Sequence, residues 1–201
     1  MRLAILLSGR GSNFQAIHEA IQRGELAAEI VCVISNRSDA PGIARARDYG
    51  YAAHVLDHKS FANRAAHEEE VLRVLDAARP DFICLAGYMR LLGAAFIERW
   101  RNRILNIHPS LLPSFPGVDA QAQAVAYGVK VSGCTVHFVD EQLDAGPILV
   151  QRAVPVQDDD TAETLAARIL VQEHEAYVEA LKKLATRQWR VAGRNVLFEN
   201  G

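Results

Sequence analysis

Cysteine is scarce in this sequence, three in 201 residues, and none falls in a C-x-x-C or mixed Cys/His spacing that would hold a metal or a redox disulfide. Cys32, Cys84 and Cys134 each lie inside an apolar run, which reads as a set of buried thiols in a reducing compartment. Long hydrophobic runs are absent too: nothing approaches the ~18 apolar residues of a membrane helix. The N-terminal "LAILL" is too short for the core of a signal peptide and runs straight into a glycine loop, so a cytosolic protein is expected. Nor does charge of one sign predominate. A formal net charge of -2 offers no footprint for a polyanion, which argues against nucleic acid and confines any bound phosphate to a small, local site. Internal repeats, low-complexity tracts and linkers are missing, and the length fits one domain able to bury a core without disulfides or metals.

What is present is a globular composition, 50% hydrophobic and 23% charged. Short apolar runs alternate with amphipathic stretches. Residues 3–7, 30–35, 81–87 and 103–107 read as strands buried on both faces, with a weaker one at 52–56. A helix is expected from Asn13, where Phe14, Ile17 and Ile21 share a side. Pro41 and Gly50 bracket a second, and "AAHEEEVLRVLDAA" reads as a third that stops before Pro80. The alternation predicts a doubly wound α/β domain with a largely parallel sheet, in which ligands collect at the carboxyl ends of the strands. Residues 133–140 alternate and predict a strand with unequal faces, and 147–156 read as another strand. A long helix begins near Thr161, where Asp160 and Glu163 are spaced for a capping box.

"SGRGSN", residues 8–13, follows the first strand with two glycines and a helix start. Unpaired N–H groups and the helix dipole there favour a phosphate, with Ser12 adding a hydroxyl and Asn13 an amide. A plain βα turn with an Asn cap fits the same letters nearly as well. The loop is neither G-x-G-x-x-G nor a Walker loop, and no Lys follows, so a monophosphate substrate suits it better than a dinucleotide or ATP.

Seven histidines are present. His18 and His67 sit in charged helical contexts, His54 and His58 in a polar loop region, and His137 in a strand, where a satisfied structural role is the ordinary reading. His108 differs. It follows a buried strand in "LNIHPSLLPSFPG", Pro109 fixes the backbone after it, and Asn106 leaves the same face of an extended segment. An amide donor beside an imidazole is what a developing oxyanion needs. A carboxylate partner would raise the histidine pKa from its ordinary ~6.5 and keep it charged. "DEQLDAGPI" offers Asp140, Glu141 and Asp144. Asp144 is the best held, by the Ala145-Gly146-Pro147 turn, although Asp before Gly and Pro is also a common turn former. Finally, Leu165, Ile169, Glu173, Tyr177 and Leu181 recur at helical spacing, which sets one carboxylate in an apolar stripe. A charge there calls for a partner, of which a ligand amine or hydroxyl is one; an edge position on a wide stripe is the plainer reading.

Taken together, "SGRGSN", "LAGYMRLL", "LNIHPSLLPSFPG", "GCTVHFVDEQLDAGPI" and "QEHEAY" resemble the glycinamide ribonucleotide formyltransferases of the folate-dependent formyltransferase superfamily, in order and over essentially the whole chain. The resemblance implies a Rossmann-like α/β formyltransferase fold of about seven strands, mostly parallel with one antiparallel, and helices on both faces. It implies a single domain over residues 1–201, with a ribonucleotide-binding half at 1–100 and a catalytic and folate-binding half at 101–201. The implied reaction moves a formyl group from 10-formyltetrahydrofolate to the amine of glycinamide ribonucleotide in de novo purine biosynthesis, with no metal, in a cytoplasmic monomer or homodimer.

Asn106, His108 and Asp144 match the family's catalytic trio, in which the first two stabilise the tetrahedral intermediate and Asp144 raises the histidine pKa and helps relay protons. Gly11, Ser12 and Asn13 match the phosphate loop. Leu170, Val171, Gln172 and Glu173 match a second substrate segment, with Glu173 expected at the ribose or glycinamide part. Met89, Arg90, Leu91 and Leu92, with Asn106 and the loop Asp140, Glu141, Gln142, Leu143 and Asp144, match the folate side, largely through backbone contacts. Arg64 matches a cation near the folate's glutamate tail. One departure is "PGVDAQAQA", where Val118 and Asp119 stand in place of the histidines that some members carry, which implies a change at the outer folate cleft.

Rival readings stand beside this one. Formyltetrahydrofolate deformylases share N-I-H and D but carry an N-terminal regulatory domain and lack the Gly-Ser-Asn loop; this chain begins at its first strand and has the loop. Other formyltransferases carry extra domains, including basic RNA-binding modules, that this chain is not expected to have. A non-catalytic folate- or nucleotide-binding module is the other rival, and an intact Asn106, His108 and Asp144 set argues against it.

Overall fold

A computed structural model of the chain describes residues 1–199. The five apolar runs of the first half become β1 (Arg2–Leu7), β2 (Glu29–Ser35), β3 (Ala53–Val55), β4 (Phe82–Leu85) and β5 (Ile104–His108). The expected helices between them are α1 (Ser12–Gln22), α2 (Pro41–Asp48) and α3 (Arg64–Ala78), and a short α4 (Ala94–Arg99) precedes β5. After it come α5 (Ala120–Tyr127), β6 (Val131–Phe138), β7 (Ile148–Pro155), α6 (Ala162–Thr186), β8 (Trp189–Ala192) and β9 (Asn195–Phe198). The strand order is β3-β2-β1-β4-β5-β6-β7-β9-β8, nine strands among the described residues rather than about seven. The two extra strands are the β8–β9 hairpin, whose runs of four residues are short and hold no fully buried residue.

The chain divides into two compact units, Met1–Leu105 and Asn106–Gly201. In the first, β1 pairs in parallel with β2 on one side and β4 on the other, and β3 extends β2 in the same direction. Leu3 to Leu7 are wholly buried, as a strand covered on both faces requires. Parallel pairing leaves the C-terminal ends of β1, β2 and β4 together, and the loops that follow them are therefore neighbours.

In the second unit β6 runs antiparallel to β7, β7 parallel to β9, and β8 antiparallel to β9, so more than one strand breaks the parallel pattern. Residues 132–138 of β6 are all buried, which corrects the expectation of unequal faces. The reason lies in what covers the Thr135 and His137 side. The Thr135 hydroxyl donates to the Ser110 carbonyl and accepts from Leu112 N–H, and the Asp144 carboxylate comes within 3.9 Å of His137 Nε2.

Helix α6 packs on β6 and β7. Its stripe of Leu165, Ile169, Glu173, Tyr177 and Leu181 is buried as the spacing indicates, and each apolar member contributes about 2 kcal/mol by leaving water. Its start differs from expectation in one detail. The capping box is Thr161 with Thr164. Asp160 instead pairs with Arg168 and accepts from Gln157 N–H. That guanidinium holds the Asp160 carboxyl well below the usual carboxylate range.

Candidate active site

The second unit gathers the predicted trio. Asn106 and His108 are two apart on β5, so the pleat sends both side chains to one face. Asp144 reaches that face from the 140–146 turn, held in the left-handed region at φ 50°. Aspartate tolerates this region better than most side chains do. Gly146 explains the tightness of the turn: a Cβ there would sit 1.8 Å from the Phe138 carbonyl oxygen, so no other residue fits without moving β6. The carboxylate Oδ2 of Asp144 accepts from Gly117 N–H at 2.8 Å and lies 3.4 Å from His108 Nδ1. The long-range contact between the histidine and this carboxylate is therefore made.

His108 is 4% exposed, and its other nitrogen is also engaged. A carbonyl oxygen only accepts, so the 2.8 Å contact between His108 Nε2 and the Phe115 carbonyl means that Nε2 carries hydrogen and donates. The imidazole thus lies between a carbonyl and a carboxylate, an acceptor for each of the two N–H groups of an imidazolium. The carbonyl belongs to the 109–117 segment, which Thr135 and Ser110 pin down. Gln151 Nε2 donates to both the Leu112 carbonyl and the Thr135 hydroxyl, and the Ser110 hydroxyl donates to the Ser114 carbonyl.

One further side chain, His137, borders the trio. The Asn106 amide nitrogen lies 3.3 Å from His137 Nε2, and His137 Nδ1 lies 2.9 Å from the Phe138 carbonyl. Burial pushes the His137 pKa below its ordinary value, against smaller opposing effects of the Phe138 carbonyl and Asp144. The letters mark His137 only as a structural histidine on a strand with unequal faces, and the burial of both faces is what the structure adds. The Phe115 carbonyl and the Gly117 amide are backbone groups with no letter to mark them.

The rest of the second unit's predicted set divides by position. In the 140–144 turn, Asp140 accepts from the Gln142 N–H, while Glu141, Gln142 and Leu143 are exposed. On α6, Glu173 is 9% exposed and faces inward, Leu170 is half-buried, and Val171 is exposed. Gln172 accepts from Arg152, whose guanidinium also pairs with Glu175 and Glu179. Four consecutive helical residues point four ways, so of this segment Leu170 and Glu173, three apart, share a side. Burial, followed by the negative charge of Glu173, pushes the Cys134 thiol up to about 12. Val118 is exposed, and Asp119 caps α5 from the left-handed region with no side-chain bond.

In the first unit, Gly11 caps α1 at φ 68°, a backbone that L side chains rarely adopt, and no side chain caps the first turn. Ser12 and Asn13 open the helix, and its first turn carries no acidic residue to compete with an anion. The loop is pinned from three sides: Ser8 N–H donates to Gly87, Gly42 N–H to Gly9 and the Arg45 guanidinium to Arg10, each to the backbone carbonyl. Ser8 is buried, and its hydroxyl donates to Asn36 Oδ1 and accepts from Met89 N–H. The glycine loop and the 89–92 segment are brought together in this way, a role for Ser8 that the sequence did not signal. Met89 and Leu91 expose their side chains, at 72% and 66%, and the segment has no regular structure, which leaves backbone groups open to a ligand. Arg64 is the first residue of α3, half-exposed, 3.7 Å from Glu68, and Glu68 accepts from Gly93 N–H. Among the described residues no group of three or more His, Cys, Asp or Glu side chains is arranged to hold a metal ion.

The chain is similar to known proteins over most of its length. A 49% identical segment of 187 residues, 92% of this chain, occurs in the trifunctional purine biosynthetic protein adenosine-3 of Drosophila pseudoobscura pseudoobscura. The chain spans 14% of that relative's length, and 14 to 19% of the other trifunctional relatives first matched. The phosphoribosylglycinamide formyltransferase of Escherichia coli (strain K12) is 40% identical over 200 residues, covering 100% of this chain and 92% of that one. The crystal structure of glycinamide ribonucleotide transformylase 1 from Symbiobacterium toebii superposes with a TM-score of 0.96 at 46% identity, covering 100% of this chain and 94% of that one. The family profile described as formyl transferase matches residues 1–181, and this chain belongs to the formyl transferase family.

Proposed function

We propose that this chain transfers the formyl group of 10-formyltetrahydrofolate to the primary amine of glycinamide ribonucleotide, giving formylglycinamide ribonucleotide and tetrahydrofolate in de novo purine biosynthesis. The observation that carries this reading is the 3.4 Å approach of Asp144 to His108, beside Asn106. An amide, an imidazole and a half-buried carboxylate on one face supply what acyl transfer to an amine needs: two donors for an oxyanion and an acceptor for the proton released.

The amine nitrogen of the ribonucleotide attacks the formyl carbon, and the carbonyl oxygen takes up negative charge. Asn106 and His108 donate to that oxygen, each worth about 3 kcal/mol in the transition state. His108 gives up its Phe115 carbonyl for the oxyanion, while Asp144 stays against Nδ1 and keeps the ring oriented. The bond from the formyl carbon to the folate nitrogen then breaks. A proton leaves the attacking amine and one arrives on the departing nitrogen, relayed by Asp144 directly or through water. No covalent enzyme intermediate is formed, and no step calls on a metal.

In the first unit, Gly11, Ser12 and Asn13 hold the ribonucleotide phosphate on the uncapped start of α1. Met89, Arg90, Leu91 and Leu92 hold the pterin through backbone groups, and Arg64 meets the glutamate tail. In the second unit, Leu170, Val171, Gln172 and Glu173 form the other substrate segment, with Glu173 on the ribose or glycinamide part. Asn106 and the turn of Asp140, Glu141, Gln142, Leu143 and Asp144 border the folate. The two units act as one formyltransferase domain, in the cytoplasm, as a monomer or homodimer and without a nucleic-acid or membrane partner. No helix among the described residues is long and apolar enough to cross a membrane.

The deciding experiment incubates the purified chain with 10-formyltetrahydrofolate, with and without glycinamide ribonucleotide. Product formation that requires the ribonucleotide supports the transferase. Formate release without it identifies a deformylase instead, and no turnover with either overturns both.

A further inference from the structure

Resting on that reading, we infer that His137 is a positioning residue for the transfer: its unprotonated Nε2 accepts one N–H of the Asn106 carboxamide and leaves the second N–H for the oxyanion. The argument starts from hydrogen-bond chemistry. The Phe138 carbonyl can only accept, so His137 Nδ1, 2.9 Å away, carries the hydrogen. In a neutral ring Nε2 then has a bare lone pair. The Asn106 nitrogen 3.3 Å away is the donor that lone pair needs, and the contact fixes which end of the carboxamide is nitrogen and which is oxygen.

A positively charged His137 would defeat the arrangement twice. Its Nε2–H would compete with Asn106 as a donor, and it would draw Asp144, whose Oδ1 is 3.9 Å away, from its place against His108. The groups facing the ring are Asp144, His108 and Asp140, and burial at 2% exposure outweighs the two carboxylates and keeps the ring neutral. His137 is thus set to hold a donor for the reaction without becoming charged itself. It acts through Asn106, and no contact with either substrate is required of it.

Two substitutions separate the two ring nitrogens. In His137→Asn the side-chain amide overlays Nδ1, keeps the bond to the Phe138 carbonyl and cannot reach Asn106. In His137→Gln the amide oxygen overlays Nε2 and can still accept from Asn106. Ribonucleotide-dependent formyl transfer is measured for both, alone and with Asn106→Ala. We expect His137→Asn to lower kcat about 30-fold with either KM changed less than about 3-fold, and His137→Gln to recover kcat to within about 5-fold of the parent. With Asn106→Ala present, His137→Asn should cost less than about 3-fold further, because the group it positions is gone. An equal loss in both backgrounds overturns the proposal, as does a His137→Gln enzyme no better than His137→Asn. The ring can also be read in the unsubstituted protein by two-bond 1H–15N couplings. A protonated Nε2 on His137 overturns the proposal even if every variant misfolds, and an unprotonated Nε2 that shifts in Asn106→Ala supports it. Failure of the underlying reading looks different: the parent protein would then show no ribonucleotide-dependent transfer, whatever the state of the ring.

Discussion

Asp144 meets three demands at once: a left-handed backbone, a backbone amide to bind and a histidine to face. Asparagine tolerates the same backbone and its amide oxygen can still accept from Gly117, so Asp144→Asn removes the charge with little else. Turnover at neutral pH is expected to fall at least about 100-fold, with a melting temperature within about 3 °C of the parent. Near-normal turnover would sink the electrostatic role assigned to Asp144. His108→Ala should cost a similar factor in kcat, and its stability loss should exceed that of Asp144→Asn. It opens space in a buried position and leaves the carboxylate with the Gly117 amide alone.

At the scale of elements, the 138–148 turn can be tested through its geometry. Gly146→Ala sets a methyl 1.8 Å from the Phe138 carbonyl, and the strand or the turn must shift; a loss of about 3 kcal/mol or more in unfolding free energy is expected. The same substitution at Gly87, at φ 74° with nothing within 4 Å of the added carbon, should cost about 1 kcal/mol, the conformational part alone. Chemical denaturation of the two variants distinguishes crowding from backbone strain.

The parts of the fold that could be read from the sequence are those with one dominant local cause. Residues 3–7 are apolar throughout because both faces are covered, residues 30–34 are apolar and mostly buried, and α6 declares itself through a stripe of four-residue spacing. The short α4, "AAFIER", and α5, "AQAQAVAY", have no apolar period strong enough to show, and the β8–β9 hairpin lacks an Asn-Gly or Asp-Gly turn. The site divides in the same way. Asn106 and His108 are legible because the two-residue period of one strand puts them side by side. The contact from Asp144 to His108 crosses 36 positions and depends on where two loops end, so letters alone could name the carboxylate but not close the gap. His137 does not stand out in the letters, because a histidine in a strand usually signifies packing, and its two hydrogen-bond partners reveal a further use.

For the molecule as a whole, burial holds the pKa values of His18, His67 and His137 below the ordinary 6.5. The unfolded chain therefore binds protons at these positions before the folded chain does. Their effect on stability is absent at pH 8 and becomes a loss as pH falls through 6.5 towards the lower folded values. The Asp160 carboxylate, held low by Arg168, adds a separate loss only once pH drops below the usual carboxylate range. A melting temperature that is flat from pH 8 to 7 and declines between pH 6.5 and 5 is expected from calorimetry. Replacing His67, whose Nε2–H donates to the Leu56 carbonyl, by Gln should shallow that decline. A profile that rises towards pH 5 would contradict the sign.

The three cysteines have a practical consequence. All are buried and so kept from an alkylating reagent, and burial lifts the thiols of Cys32 and Cys134 to about 12, so those two hold almost no thiolate at neutral pH. The chain is therefore close to silent towards maleimides without any cysteine having been removed. A Leu143→Cys variant would place one exposed, reactive sulfur next to Asp144. Its labelling should slow when a reduced folate is added, turning the turn itself into a reporter of ligand occupancy that needs no turnover to be read.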